Sequence, residues 1–266
     1  MRIFYIILLC FLAATAILWL GRFGKLPKKV AAISAACALT LSGILLLLAV
    51  LPNNSFYGNV VIDKPQSEKK LIALTFDDGP YPPYTNQLLD LLKEKQVPVT
   101  FFTVGKSAAR YPDLVRRAQA EGHEIELHAG IHQDLLKLNK ADLTNNIAYG
   151  KQVLKEITGQ NPRYMRPPHG FKDWQVLNAL QEADLTAVNW SVIPRDWTNP
   201  GAKKIADRVC FDAYPGAIVL LHDGDSPKET APRDQTIAAT AMIIDTLRSE
   251  GYEFVTVHQL LKGENK

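Results

Sequence analysis

Leu71-Ile-Ala-Leu-Thr-Phe-Asp-Asp-Gly-Pro80 joins an uncharged, mostly apolar run to a carboxylate pair and a turn. Such a run, ended by Asp, Gly and Pro, reads as a buried strand with two carboxylates at its C-terminal end. Working outward from it, Asn86 to Gln96 reads as a helix ended by Pro98, and Val99 to Val104 as a second strand. A helix over Pro112–Glu121 stops at Gly122, and His123 to Leu127 is a third strand. A long helix over Ala141–Ile157 stops at Gly159. The alternation continues with a strand at Tyr164, a helix over Trp174–Glu182, a strand over Leu185–Asn189 and a helix over Ala202–Phe211. It ends with a strand over Ala217–Leu221, a helix over Thr236–Glu250 and a strand over Glu253–Val257. Strands alternating with helices imply parallel β/α units, and about seven of them suggest a barrel. In a barrel the functional residues are expected at the C-terminal ends of the strands.

Upstream of this pattern the composition changes. Residues 1–51 contain no Asp or Glu and carry five basic residues, Arg2, Arg22, Lys25, Lys28 and Lys29. The whole chain is only +3, so residues 52–266 are slightly acidic. The pI near 8.6 therefore reflects the basic N-terminal part, and no basic surface for nucleic acid is expected. Ile3–Leu20 and Val30–Leu51 are uncharged and mostly apolar. A membrane-crossing helix needs ~20 such residues, so the two segments read as a transmembrane hairpin. The cationic loop Gly21–Lys29 between them is expected on the cytoplasmic side, with the N-terminus and everything after Leu51 outside. A cleavable signal peptide is the simpler alternative for the first segment, but a second long apolar run follows it at once. The expected organisation is a membrane anchor over 1–51, a linker over 52–70, a catalytic domain over 71–262 and a tail over 263–266. The three cysteines, Cys10, Cys37 and Cys210, form no Cys-X-X-Cys motif and no disulfide framework.

Titratable residues gather just after the strands. Asp77 and Asp78 follow the first, His128 and His132 the third, Arg166 the fourth, Asp196 and Trp197 the fifth, and His222 and Asp223 the sixth. Adjacent carboxylates in a tight site cannot both remain free anions, so one needs a cation or a proton. His128 and His132 share one face if a helical turn starts there. Two histidines and one carboxylate make a three-ligand set with open positions, the pattern of a catalytic zinc-like site. Such a metal polarises a carbonyl and acidifies water, the second carboxylate can act as base, and a distant histidine can protonate the leaving group. These parts suffice for hydrolysis of an amide or ester.

Taken together, residues 71–262 resemble the NodB-homology polysaccharide deacetylases, carbohydrate esterase family 4. Five motifs stand in the family's order: Thr75-Phe-Asp-Asp-Gly-Pro80, Gly122 to His132, Arg166-Pro-Pro-His-Gly170, Trp190 to Trp197, and Leu220-Leu-His-Asp-Gly224. The resemblance implies a distorted (β/α) barrel. It implies Asp77 as general base, with Asp78, His128 and His132 as ligands of a divalent metal: zinc first, cobalt or another divalent ion as alternatives. It further implies Arg166 as the residue holding Asp77, His222 as general acid and Asp196 as its tuning partner. Trp197 and Leu220 would wall the pocket for the acetyl methyl, and Pro168 and His169 would contribute to substrate binding. The implied substrates are N-acetylated glycan polymers, and an outward-facing membrane anchor makes a cell-surface polymer such as peptidoglycan the natural target. No nucleic acid and no obligate protein partner are implied. Three positions depart from the family pattern. Ala129 stands where Ser or Thr follows the first histidine, a hydroxyl expected to brace the metal-binding loop. His169 replaces an aromatic residue, and Ile193 replaces an Asp.

Two rival readings follow. A non-catalytic or weakly active glycan-binding member is motivated by Ala129 alone, whereas a pure binder has no need of Asp77 and His222 together. A metal-free glycosidase needs two carboxylates ~5–9 Å apart across a sugar, and Asp77 and Asp78 are immediate neighbours.

Overall fold

The first strand, β1 (Leu71–Asp77), is buried along its whole length, as an apolar strand covered on both faces must be. A computed structural model describes residues 3–65 and 69–263. After two N-terminal helices, α1 (Ile3–Arg22) and α2 (Lys28–Val50), the chain runs β1, α3 (Tyr84–Lys95), β2 (Thr100–Thr103), α4 (Gly105–Arg110), α5 (Pro112–Ala120) and β3 (Glu124–Leu127). It continues with α6 (Lys140–Thr158), β4 (Tyr164–Met165), α7 (Trp174–Glu182), β5 (Thr186–Ala187), α8 (Ala202–Asp212), β6 (Ile218–His222), α9 (Asp234–Ser249), β7 (Glu253–Phe254) and α10 (Val257–Lys262). The strand–helix alternation expected from the sequence is present throughout. The short helices α4 and α10 were not expected.

The seven strands are parallel, in the order β5-β4-β3-β2-β1-β6, with β7 on the first two residues of β1. Between β5 and β6 the curled sheet is closed by irregular pieces rather than by a full strand. Val192 bridges Val219 on β6, while Val61 bridges Val188 and Asp63 bridges Ala217. The result is a distorted barrel. Residues 52–65, read as linker, thus include two residues that hydrogen-bond into the seam.

Side chains alternate along β1 with the strand period of two. Ile72, Leu74 and Phe76 face outward into a core shared with Leu88, Leu89 and Leu92 of α3 and Ile243, Ile244 and Leu247 of α9. Each such side chain stabilises by roughly 1.5–3 kcal/mol when fully buried. Thr75 and Asp77 lie on the other face of the strand, where the Arg166 guanidinium meets both. A second core joins Leu127 to α6 and α7 through Ile147, Leu154 and Val176. Register does the rest: Asp77 is the Cα partner of His222 on β6 and of Phe102 at the end of β2.

Helices α1 and α2 pack side by side, with Gly21 so close to Ala31 that a Cβ at Gly21 would stand 2.5 Å from the Ala31 Cβ. They expose large apolar side chains, among them Leu8, Leu12, Ile33, Leu41 and Leu47, and both are long and apolar enough to cross a membrane.

Candidate active site

Asp78, His128 and His132 come together at the C-terminal ends of β1 and β3, each offering a donor atom within 4.8 Å of the others. The His128–His132 pair is not built on a helical turn, as its spacing had suggested. The chain from 128 to 134 is a loop, with Ala129 in the left-handed region at φ 69°. The two rings nevertheless lie with centroids 5.2 Å apart. His128 Nδ1 is 2.8 Å from the Arg166 carbonyl oxygen. That acceptor requires the proton on Nδ1 and leaves Nε2 with its lone pair facing the site. Burial and the neighbouring His128 pull the His132 pKa down to about 4, so the His132 imidazole is neutral at physiological pH.

The carboxylate between them is short of partners. Asp78 Oδ1 lies 3.4 Å from His128 Nε2 and 3.3 Å from His132 Nε2, yet it is buried without a hydrogen bond. Burial pushes its pKa upward, but the imidazoles of His128, His222 and His132 outweigh this and hold it far below the ordinary carboxylate range. An orphaned carboxylate oxygen beside two imidazole nitrogens is a donor set that fits a divalent cation.

Asp77 has opposite surroundings. Its Oδ1 accepts from Arg166 Nη1 at 2.6 Å, and its Oδ2 lies 3.9 Å from His128 Nε2. Arg166 is 0 % exposed. Its guanidinium also donates to Thr75 Oγ1, Asn189 O and Val188 O, and it stacks 4.0 Å from the Phe102 ring centroid. Four acceptors and an aromatic face compensate this buried cation and fix its plane.

His222 stands across from Asp77. Its Nδ1 lies 2.8 Å from Asp196 Oδ1, while Asp196 Oδ2 accepts from the His222 backbone N–H and from Thr236 Oγ1. Burial alone would lower the His222 pKa. The charge and hydrogen bond of Asp196, aided by Asp78 and Asp77, override it and raise the value to about 9. The imidazole is therefore cationic at neutral pH, with Nε2 free to give a proton.

These groups open into a cleft of about 740 Å³, lined among others by Asp77, Asp78, His169, Trp197, Leu220 and His222. Trp197 lies with its ring 5.3 Å from that of His222. His169, at φ 61°, closes the other side with its ring 5.1 Å from His132. Trp190 and Ile193 also line the cleft. Pro168 does not: it is buried and opens the 3-10 turn that presents His169. Arg166 and Asp196 stand behind the lining residues, each holding one of them.

Several contributors were not singled out in the sequence. Asn146 of α6 accepts from Gly130 N and Ile131 N and donates to Ile131 O, so one amide braces the loop that carries His128 and His132. Thr75, Thr236 and Asn189 complete the shells of Arg166 and Asp196. Pro52, just after α2, lines the cleft. Only Asn146 left a trace in the sequence, as a polar residue on the apolar stripe of α6 between Leu143 and Ile147.

Comparison with known proteins gives concordant results. Residues 64–188 match the family model described as polysaccharide deacetylase. A peptidoglycan-N-acetylglucosamine deacetylase of Bacillus cereus is 42% identical over 207 residues, covering 77% of this chain and 94% of the relative. A chitooligosaccharide deacetylase of Bradyrhizobium sp. is 40% identical over 211 residues, with the same two coverages of 77% and 94%. A crystal structure of the Bc1960 peptidoglycan N-acetylglucosamine deacetylase superposes with a TM-score of 0.71 at 31% identity, covering 78% of this chain and 94% of that one.

Proposed function

Since the chain belongs to the polysaccharide deacetylase family, we propose that it removes acetyl groups from N-acetylglucosamine polymers of the cell surface, peptidoglycan first among them, by metal-dependent hydrolysis. The relatives named for peptidoglycan and for chitooligosaccharide share the N-acetylglucosamine unit, which is the common ground for this substrate. The observation that carries the reading is the register between β1 and β6. It sets Asp77 and His222 opposite one another beside the Asp78, His128 and His132 trio.

In this reading Asp78, His128 and His132 hold the divalent ion, zinc being the first expectation. When bound, the ion supplies Lewis-acid chemistry toward the amide carbonyl and the attacking water. Asp77 takes the proton from that water, its Oδ1 pinned by Arg166 and its Oδ2 directed to the site. Arg166 holds and orients Asp77. His222, cationic through Asp196, gives a proton to the departing amine nitrogen. Leu220 and Trp197 offer an apolar wall for the acetyl methyl, and His169 and Trp190 face the sugar. The non-catalytic alternative loses its motive, because Asn146 supplies the loop brace that the absence of a hydroxyl at Ala129 had put in question.

The same reading places α1 and α2 in the membrane, with the loop around Arg22 to Lys29 inside and the catalytic domain outside. Their length, their exposed apolar side chains and the charge of the loop support it. A cleaved first segment fits less well, because Ile3 is buried against Ala49 and Tyr57 and its N–H lies 3.4 Å from Asp173 Oδ2. The test is acetate release from N-acetylglucosamine oligomers and from peptidoglycan by the chelated protein, repeated after zinc or cobalt is restored. No acetate from any of these substrates with any metal would refute the reading.

A further inference from the structure

The end of α2 is clamped to the catalytic domain. Lys172, fully buried, donates through Nζ to the carbonyls of Leu51 and Pro52, and its backbone N–H donates to Ala49 O. Asn189 Nδ2 donates to the same Pro52 carbonyl. Asn54 folds the chain back along the helix by donating to Leu48 O and Leu51 O, and the Tyr57 hydroxyl reaches Leu45 O. Pro52, held by this clamp, is itself part of the cleft wall. The end of α2 is therefore hydrogen-bonded to the catalytic domain, and the residue that follows Leu51 lines the cleft.

Simple lengths then set the height of the cleft. Helix α2 has 23 residues, about 35 Å at ~1.5 Å per residue, against a hydrocarbon core of about 30 Å. Its last residues thus lie at the outer edge of the hydrocarbon. Pro52 follows the last helical residue by two positions, at most about 7 Å of chain, and the headgroup layer is itself ~5–8 Å deep on each side. Phe56, Tyr57 and Trp174 cluster beside the last turns of α2, where the Tyr57 hydroxyl meets Leu45 O, with the Tyr57 and Trp174 ring centroids 4.7 Å apart. Phe56 is 50% and Trp174 38% exposed. Aromatic rings half in and half out of contact are the usual residents of the membrane interface.

We infer that the clamp on Leu51 and Pro52 holds the catalytic cleft at the height of the lipid headgroups, so that the preferred substrate is an N-acetylated saccharide carried on a membrane lipid rather than glycan remote from the bilayer. The inference rests on the membrane placement and deacetylase activity given above and specifies the substrate of that same site. A saccharide coupled to a lipid begins where the cleft opens, whereas a distant polymer has to reach down to the surface.

The test uses the full chain in phosphatidylglycerol–phosphatidylethanolamine vesicles. One substrate is an N-acetylglucosamine tetramer coupled to a diacyl lipid; the other is the same tetramer free in solution. The wild-type chain is expected to release acetate from the lipid-coupled tetramer at least about ten-fold faster at equal bulk amount, from the raised local concentration. A variant with a dozen Gly and Ser residues inserted between Val50 and Leu51, combined with Asn54→Ala and Tyr57→Phe to release Leu48 and Leu45, lifts the domain while keeping Leu51 and Pro52. It should lose that preference and hold the free-tetramer rate within about two-fold. Equal wild-type rates on the two substrates, or a preference that survives the insertion, would overturn the inference. Absence of acetate from both tetramers with every protein would instead defeat the deacetylase reading. A second measurement guards against an insertion that damages folding. A fluorophore on Phe56→Cys, in a chain with Cys10, Cys37 and Cys210 replaced by Ser, should be quenched by headgroup-labelled lipid; an unquenched label would also overturn the inference.

Discussion

Asp77 and Asp78 are chain neighbours with different surroundings: one faces a buried guanidinium, the other two imidazoles; the proposed mechanism gives them different duties for that reason. The variants should separate accordingly. Asp77→Asn is expected to keep its metal and lose ~10²–10⁴ in rate, the usual worth of a general base, while His132→Ala loses metal and activity together. Metal content measured beside acetate release decides this, and near-normal turnover by Asp77→Asn would exclude it as the base. His222 is expected to set the alkaline limb of the pH profile. Its proton must be present for catalysis, and with the pKa raised to about 9 the rate should fall only as pH climbs through that value. In Asp196→Asn the limb should move toward the ordinary imidazole value of about 6.5, so an unmoved limb in a kcat/KM profile would show that another group carries it. The chemistry-bearing residues were legible in the sequence because they sit at strand ends within dense local motifs. Thr75, Thr236 and Asn189 were not, since a hydroxyl or amide that completes a distant shell has no local signature.

Among the elements, α6 is the one that shapes the loop carrying His128 and His132. Asn146 holds the loop by three hydrogen bonds, and one turn later Gly150 lets the helix approach it. A Cβ at Gly150 would meet Leu127 Cδ1 at 2.6 Å and the Gly130 backbone at 2.8 Å. Asn146→Ala is expected to weaken metal affinity by roughly ten-fold, in line with the loss of other supports behind metal ligands. Isothermal titration with zinc would reveal it, an unchanged affinity meaning that the backbone bonds of Gly105 and Lys106 suffice. For Gly150→Ala two effects compete. Helix propensity favours Ala by about 1 kcal/mol, but overpacking against backbone costs about 1–3 kcal/mol, so a lower Tm is expected despite the better helix former. Helices α3, α5, α6 and α7 were legible from periodicity and their Gly or Pro stops, and Gly159 does end α6 in the left-handed region. The His128–His132 spacing misled because i, i+4 is shared by helices and by loops that curl. The seam residues Val61 and Asp63 lay within a polar, Pro-containing stretch that shows no strand alternation, so their bridging could not be read in advance.

For the molecule as a whole, topology is the first thing to establish. A reporter fused after Lys266 should be extracytoplasmic and one placed within Gly21–Lys29 cytoplasmic, following the four positive charges of that loop. A cytoplasmic C-terminal reporter would remove the surface-glycan assignment. The overall β/α order was legible because each strand is a short apolar run and each helix a longer amphipathic one. How the anchor meets the barrel was not, because Lys172, Asn189 and Pro52 are far apart in sequence and none is unusual alone. With α1 and α2 in the bilayer as proposed, the joint between Pro52 and the cleft would also change the kinetic dimension of the reaction. An active site fixed in the bilayer plane would meet a lipid-borne substrate by lateral diffusion, so turnover would follow surface density rather than bulk molarity. Adding buffer to a vesicle suspension should leave the rate per enzyme unchanged, whereas blending inert lipid into the same vesicles should slow it in proportion.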